Sequence, residues 1–318
     1  MFTFQKDLYL PAVDVWIDPH RPRARAFVSH GHGDHIARHD HIITTPATAR
    51  IIEHRLGKRE FTLLDYGEWH DLGAGVEICL HPAGHILGSA QLEVRSAGSN
   101  MVYSGDFRLK PSETAEACTV VPCETLVMEC TYGRPHYVFP PREEVLPVLV
   151  QALRDSLTAG ETPVVLAYTL GRSQELLKLL EPYELDIVLA PPIYAMVRVY
   201  ESLGIKFGKY DLARPERTDG KVLFVPPHGQ KSRIVKRATN PVRYAVTGWA
   251  LDGQKGPPYP TDKSFAISDH ADFDELKQYV REAKPRQVYT MHGFDDFRGF
   301  LKEQGVHAHP VEARVAMQ

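Results

Sequence analysis

Ser29-His30-Gly31-His32-Gly33-Asp34-His35 packs three histidines and an aspartate into seven residues, directly after the apolar run Ala26-Phe27-Val28. An apolar run of that length reads as the end of a buried strand, and the two glycines let the following loop turn tightly. Such a loop aims His30, His32, Asp34 and His35 at one point. Imidazole and carboxylate donors in that density suit a divalent metal such as zinc or manganese. A site for two ions needs further donors from elsewhere in the chain.

Three places supply them. His85 stands in Ala83-Gly84-His85-Ile86-Leu87-Gly88-Ser89, Asp106 in Ser104-Gly105-Asp106-Phe107 and His292 in Met291-His292-Gly293. Each follows or closes an apolar segment and has a glycine neighbour. A strand-end histidine or aspartate is common by itself; four such signals in one chain point to a shared metal centre.

At 318 residues the chain has room for one large domain or two modest ones, and 43% hydrophobic content supports a real core. No apolar run approaches the roughly 20 residues that span a bilayer, so no membrane partner is expected. Met1-Phe2-Thr3-Phe4-Gln5-Lys6-Asp7 lacks a basic-then-apolar leader pattern, which makes the cytoplasm the expected location. The four cysteines, at 79, 118, 123 and 130, form no C-x-x-C pair and read as reduced, buried thiols. A formal charge of −3 denies the chain a global basic field, so a nucleic-acid partner must meet a local cationic patch.

Periodicity divides the chain. Strands are predicted over 13–18, 26–29, 76–80, 90–95, 100–104 and 125–129, with a helix over 48–56. After Pro140 the pattern becomes alternating helix and wholly apolar strand: helices over 142–159, 173–180 and 193–203, strands over 163–168, 187–190, 221–225 and 242–247. That alternation marks a parallel α/β unit. A strand over 264–267, a helix over 272–283 and a strand over 287–291 follow. The organisation expected is a stacked-sheet domain from 1–140 and 262–318, interrupted by an α/β insert over 141–261. The proline-rich Gly256-Pro257-Pro258-Tyr259-Pro260 reads as a loop.

The ligand pattern resembles the metallo-β-lactamase fold, an αβ/βα sandwich with a two-metal site along one edge. The resemblance implies that His30, His32 and His85 hold one ion, that Asp34, His35 and His292 hold the other, and that Asp106 bridges them. It also implies that Asp18, in Ile17-Asp18-Pro19, orients the histidine loop from behind the ligands. The insert narrows the resemblance. Glu129 in Met128-Glu129-Cys130-Thr131-Tyr132-Gly133 and His270 in Ser268-Asp269-His270-Ala271-Asp272 are similar to motifs A and B of the β-CASP nucleases, the branch with an α/β cap, and His292 is similar to motif C. Tyr168 to Leu176 resembles the helix entrance of that cap. What this implies is a two-metal phosphodiesterase in which His270 protonates the leaving 3′ oxygen, Glu129 holds the other nitrogen of His270, and Asp34 serves the reacting centre with them. Two ions about 3.5–4 Å apart can activate water and neutralise charge on the phosphate together.

Chain length, a compact cap and the Ile17-Asp18-Pro19 start look most like bacterial exonucleases encoded beside DNA ligases or helicases. The partners implied are single-stranded nucleic acid, DNA favoured over RNA, and a DNA ligase or helicase. His292 is shared with the RNA-processing β-CASP enzymes, so a ribonuclease is the alternative. A thioester or ester hydrolase would need the same metals but not the Glu129–His270 pair, and a metal-free scaffold would have lost ligands that are all present here. Candidate phosphate contacts are Arg172, following Gly171 at a helix start, and Lys231, Ser232 and Arg233 after a glycine turn.

Overall fold

The computed structural model describes residues 1–253 and 256–312, and the chain divides into two compact units: Met1–Pro135 together with the segment from His270 onward, and His136–Asp269. The inserted unit thus begins a few residues before 141 and ends a few residues after 261.

The first unit opens as an antiparallel meander of β1 (Thr3–Phe4), β2 (Leu8–Leu10) and β3 (Val15–Ile17). It continues in parallel through β4 (Arg25–Phe27), β5 (His41–Thr44) and β6 (Glu60–Leu63). Helix α1 (Pro46–Leu56) joins β5 to β6. Its start is set by Thr45, whose hydroxyl accepts from the Thr48 amide, and by Pro46, which has no N–H to leave unpaired. Gly57, at φ 80°, ends it.

A second sheet begins with β7 (Trp69–Gly73), β8 (Val76–Pro82), β9 (Ala90–Ser96) and β10 (Ser99–Tyr103), all antiparallel, and turns parallel at β11 (Thr125–Cys130). The chain then leaves for the second unit. There α2 (Arg142–Thr158), β12 (Thr162–Leu166), α3 (Arg172–Leu179), β13 (Ile187–Leu189), α4 (Pro191–Ser202), β14 (Asp211–Leu212), β15 (Val222–Val225), α5 (Arg233–Arg237), β16 (Pro241–Val246) and β17 (Lys263–Phe265) follow in order. Its strands form one parallel sheet, ordered β14-β13-β15-β12-β16-β17. Strands β12, β13 and β15 are buried throughout because both faces are covered. Val165, Leu189 and Phe224 enter one apolar cluster, and Val164, Val188 and Leu223 enter the other. Gly256–Pro260 is a loop within this unit.

The return adds α6 (Phe273–Ala283), β18 (Gln287–Gly293), α7 (Asp295–Glu303) and β19 (His307–Pro310), completing the second sheet in the order β19-β18-β11-β10-β9-β8-β7. The period-two alternation of the strands sorts their side chains into layers. Phe27, Ile43, Tyr103, Val127 and Tyr289 meet between the two sheets. Val28 and Ile42, one residue away from two of these, turn outward onto Ile52 of α1. Val102, Leu126, Met128 and Val288 face Phe273 and Leu276 of α6 and Phe297 of α7. The first unit is therefore layered helix, sheet, sheet, helix, and β3, β4, β10, β11 and β18 all deliver their ends to the same edge.

Candidate metal centre

The donors of the centre come from the ends of those strands. Asp18 follows β3, the His30–His35 loop follows β4, His85 lies between β8 and β9, Asp106 follows β10, Glu129 is within β11, His270 precedes α6 and His292 is near the end of β18. His30 is fully buried, and its Nε2 stands 3.1 Å from His32 Nδ1, which is 3.0 Å from His85 Nε2. Asp106 Oδ2 lies 3.5 Å from His30 Nε2, 3.8 Å from His85 Nε2 and 3.5 Å from His35 Nε2. Its carboxylate thus faces the donors of both expected ion sites. On the far side, Asp34 Oδ2 is 3.9 Å from His35 Nε2, and the ring of His292 is 5.8 Å from that of His35. Asp34 and His292 are exposed, whereas His35 is buried. Residue 292 adopts φ 49°, a left-handed conformation in which histidine is uncommon.

The donor chemistry fits a divalent ion. Nitrogens bound at about 2.0–2.1 Å to a tetrahedral zinc stand roughly 3.3 Å apart, close to the spacing of His30, His32 and His85. Nitrogens this close need a shared cation or a proton on one of each pair. Burial holds His30 well below its ordinary pKa, with the positive field of His35 acting in the same direction. Burial also opposes protonation of His35, but Asp106 and Asp18 outweigh it and leave that pKa well above the ordinary value. Asp106 is desolvated too, yet His35 and His270 hold its carboxyl well below the usual range. Metal binding would displace the His35 proton.

Behind the donors, Asp18 accepts from Ser29 N at 2.7 Å, Ser29 Oγ at 2.5 Å, Tyr103 OH at 2.8 Å and His35 Nδ1 at 2.8 Å. Both oxygens are occupied, so Asp18 orients ligands even though it lies close enough to His30 and His35 to form a donor group with them. Ser29 Oγ is also 2.9 Å from His30 Nδ1. Sequence reasoning passed over Ser29 and Tyr103. Their signals were position alone, one before the first histidine and the other three residues before Asp106.

Glu129 is buried. Its Oε1 accepts from Phe107 N at 3.0 Å and meets His270 Nδ1 at 3.0 Å, while Oε2 accepts from Thr131 N at 3.2 Å. His270 Nε2 points the other way and is 4.0 Å from Asp106 Oδ2. The backbone beside His270 is fixed by Ala271 N donating to Phe107 O at 2.7 Å and by a reciprocal capping box between Asp272 and Glu275 at the start of α6. A half-buried imidazole is thereby held by one nitrogen and turned toward the histidine cluster with the other.

The second unit holds the remaining sequence-predicted contacts. Lys231 and Arg233 are exposed, and Ser232 precedes α5. Arg172 departs from expectation. Its guanidinium is buried on the Asp269 carboxylate, with the Tyr168 ring 5.1 Å away. The glycine before it does mark a helix start, but desolvation draws the charge to a carboxylate within the unit rather than outward to a phosphate.

Residues 263–313 match the family model RMMBL, described as a Zn-dependent metallo-hydrolase RNA specificity domain. A probable DNA ligase of Opitutus terrae is 40% identical over 309 residues, covering 96% of this chain and 30% of the ligase. The transcription termination factor FttA of Methanothermobacter thermautotrophicus is 38% identical over 158 residues, 48% of this chain and 24% of the factor. FttA of Pyrococcus abyssi is 36% identical over 146 residues, 45% of this chain and 22% of the factor. The chain therefore spans less than a third of the length of each of these relatives. A crystal structure of a protein of unknown function from Enterococcus faecalis superposes with a TM-score of 0.59 at 16% identity, over 91% of this chain and 79% of that one, which speaks to the fold. The αβ/βα layering, the strand-end donors and these likenesses identify the chain as a member of the β-CASP branch of the metallo-β-lactamase family.

Proposed function

We propose that the chain is a nuclease that hydrolyses single-stranded DNA from an end, using two divalent ions, zinc or manganese. The observation that carries this reading is the His270–Glu129 pair. A hydrolase of an activated ester needs no such group, because its leaving group departs without a proton. A nucleoside 3′ oxygen is a poor leaving group. The Nδ1 contact with Glu129 leaves His270 Nε2 to donate a proton toward the histidine cluster, where that oxygen would depart.

His30, His32 and His85 would hold one ion, His35, Asp34 and His292 the other, and Asp106 both. When bound, the ions supply positive charge at the scissile phosphate and a water acidic enough to attack at neutral pH. Asp18 fixes the tautomer of His35 through Nδ1, and Ser29 meets His30 Nδ1, so that Nε2 of each ring is presented to its ion. Lys231, Ser232 and Arg233 are the proposed strand contacts of the inserted unit. DNA is favoured because the relative that matches nearly the whole chain is named a probable DNA ligase, which also makes a ligase, or a helicase working beside one, the proposed partner. RNA is the second reading, supported by the description of the domain matched at 263–313 and by the termination-factor relatives.

End-labelled DNA and RNA strands with zinc or manganese test the substrate. Replacement of His270 tests the chemistry. His270→Ala should slow strand cleavage by roughly 10²–10⁴-fold. It should slow a nitrophenyl phosphodiester, which leaves as a stable anion, far less. Equal losses on both substrates with metal retained would remove His270 as the acid. Loss of metal would make it a ligand.

A further inference from the structure

Away from the histidine cluster, charge in the first unit is uneven. From Pro46 to Arg59 the chain carries Arg50, Arg55, Lys58 and Arg59 against Glu53 alone, within a sequence whose formal charge is −3. The buried residues of α1 are Thr48, Ala49, Ile51 and Ile52, so the cations fall on its other face. Arg50 and His54, four residues apart and both exposed, share one line along the helix, and exposed Lys58 follows in the turn beyond Gly57. Arg59 donates to the carbonyls of Leu56 at 2.9 Å and Lys58 at 2.6 Å, so its guanidinium is fixed at the end of the helix. Arg38 and His39 join Lys58 and Arg59 around a shallow depression of about 650 Å3 whose rim also holds Asp40 and Glu60. Among the described residues, Arg38 and Lys58 form no ion pair.

This face is continuous with the ligand loop. Arg55 donates to the Gly31 carbonyl, between His30 and His32, and stands 3.4 Å from where a Cβ on Gly33 would lie. Arg50 has Glu53 3.8 Å away as its one acidic neighbour on this helix, and the remaining excess of cations on a net-negative protein concentrates anions locally; spacing along a helix suits a repeating anion better than a single one.

We propose that the outer face of α1, with the Lys58–Arg59 turn, tracks the phosphodiester backbone of a single nucleic-acid strand whose end lies at the histidine cluster. The inference rests on the nuclease reading and adds to it a binding surface in the first unit, apart from Lys231, Ser232 and Arg233. Its contacts go to phosphates, so affinity should be sequence-independent and salt-sensitive.

The test uses the whole chain with metal bound and phosphorothioate-linked strands, which keep their charge and resist hydrolysis. Binding of DNA and of RNA strands is followed by fluorescence anisotropy across a salt series. Each phosphate contact contributes roughly 0.7 to the log–log salt slope for single strands. The variant Arg50→Gln/Lys58→Gln/Arg59→Gln should therefore bind more weakly with a slope lower by about 2. If loss of the Arg59 contacts unsettles the fold, as melting would reveal, Arg50→Gln/Lys58→Gln should lower the slope by about 1.4. An unchanged slope in a folded variant overturns the track, while strand cleavage by the parent protein keeps the nuclease reading. A parent protein that neither binds nor cleaves any strand overturns both. A slope that falls on one type of strand only assigns the track to DNA or to RNA.

Discussion

Asp18 shows how much of the centre depends on a residue whose carboxylate is taken up by the side chains and backbone around it. Its carboxylate receives four donors, one of them the backbone amide of Ser29 and another His35 Nδ1. Asn at this position keeps the shape but exchanges one acceptor oxygen for a donor. Tyr103 and Ser29 can rotate their hydroxyls to accept, and the amide of Ser29 cannot. His35 can meet an Asn amide only by accepting at Nδ1, which moves its proton to Nε2, the nitrogen that faces Asp106. Asp18→Asn should therefore weaken metal binding by roughly 10–100-fold, read by competition with a chromophoric chelator. An unaltered affinity would mean that His35 does not rely on Asp18 for its tautomer. The variant also separates orientation from ligation. If Asp106 serves both of the proposed ions, Asp106→Ala should disturb both, whereas Asp18→Asn should leave the number bound at saturation unchanged.

Among the elements, α1 has a role that its sequence does not announce. At its start Thr45 and Thr48 both donate to the Gly88 carbonyl, at 2.7 and 2.8 Å, in the loop that carries His85. Near its end Arg55 donates to Gly31 in the loop that carries His30 and His32. One helix thus grips both loops that supply the first three imidazoles. Gly88 allows the approach, because a Cβ there would stand 2.7 Å from Ala47 and 2.8 Å from the Thr48 amide. Thr48→Val deletes one of the two hydroxyls with little change of volume and should cost about 0.5–1.5 kcal/mol of stability. It should also loosen His85, so that metal affinity falls while the ion proposed at His35 is little affected. A variant that melts earlier but binds metal as tightly as the parent would reduce α1 to a packing element.

Much of this level was legible in the sequence, and the exceptions have physical reasons. The apolar runs within 26–29, 100–104 and 125–129 are unbroken because both faces of those strands are covered, and the structure places β4, β10 and β11 there. Helix α7 and strand β19 were passed over. The helix buries only Phe297 and Leu301, and β19 reads His307-Ala308-His309-Pro310, with one buried residue. An edge strand held by backbone pairing to β18 leaves almost no hydrophobic pattern to find. The gathering of the histidines and Asp106 was legible because side chains able to hold a metal are of a few types. The positioning hydroxyls of Ser29 and Tyr103 were not, since any residue that donates at that point in space would serve. Arg172 misled for a related reason. Its place at the helix start was readable, but the carboxylate that claims it is Asp269, far along the chain.

At the scale of the whole molecule, the donors cluster in one unit and the other has its own apolar cores. A ligand that binds only the native state stabilises it by RT ln(1 + [L]/Kd), so a metal held at 100 times its Kd adds about 2.7 kcal/mol. Removing metal with a chelator should therefore raise amide exchange in β4, β10 and β18, whose ends carry the donors. Exchange in β12, β15 and β16 should stay as it was. Equal deprotection in both units would mean that metal binding stabilises the chain as one cooperative body.

The order in which the donors lie along the chain gives the protein a history as it is made. Among the donors, His30, His32 and His35 leave the ribosome first, His85 and Asp106 follow, and then the whole inserted unit is synthesised before His270 and His292 appear. Strand β18, which carries His292, can pair with β11 only after that interval, because the two are neighbours in the sheet and distant in sequence. A growing chain can thus collect its first histidines without owning either the group assigned to proton delivery or the last ligand. Placing them beyond the insert orders the assembly: in the proposed nuclease, neither proton delivery nor the last ligand is in place until the inserted unit has been made.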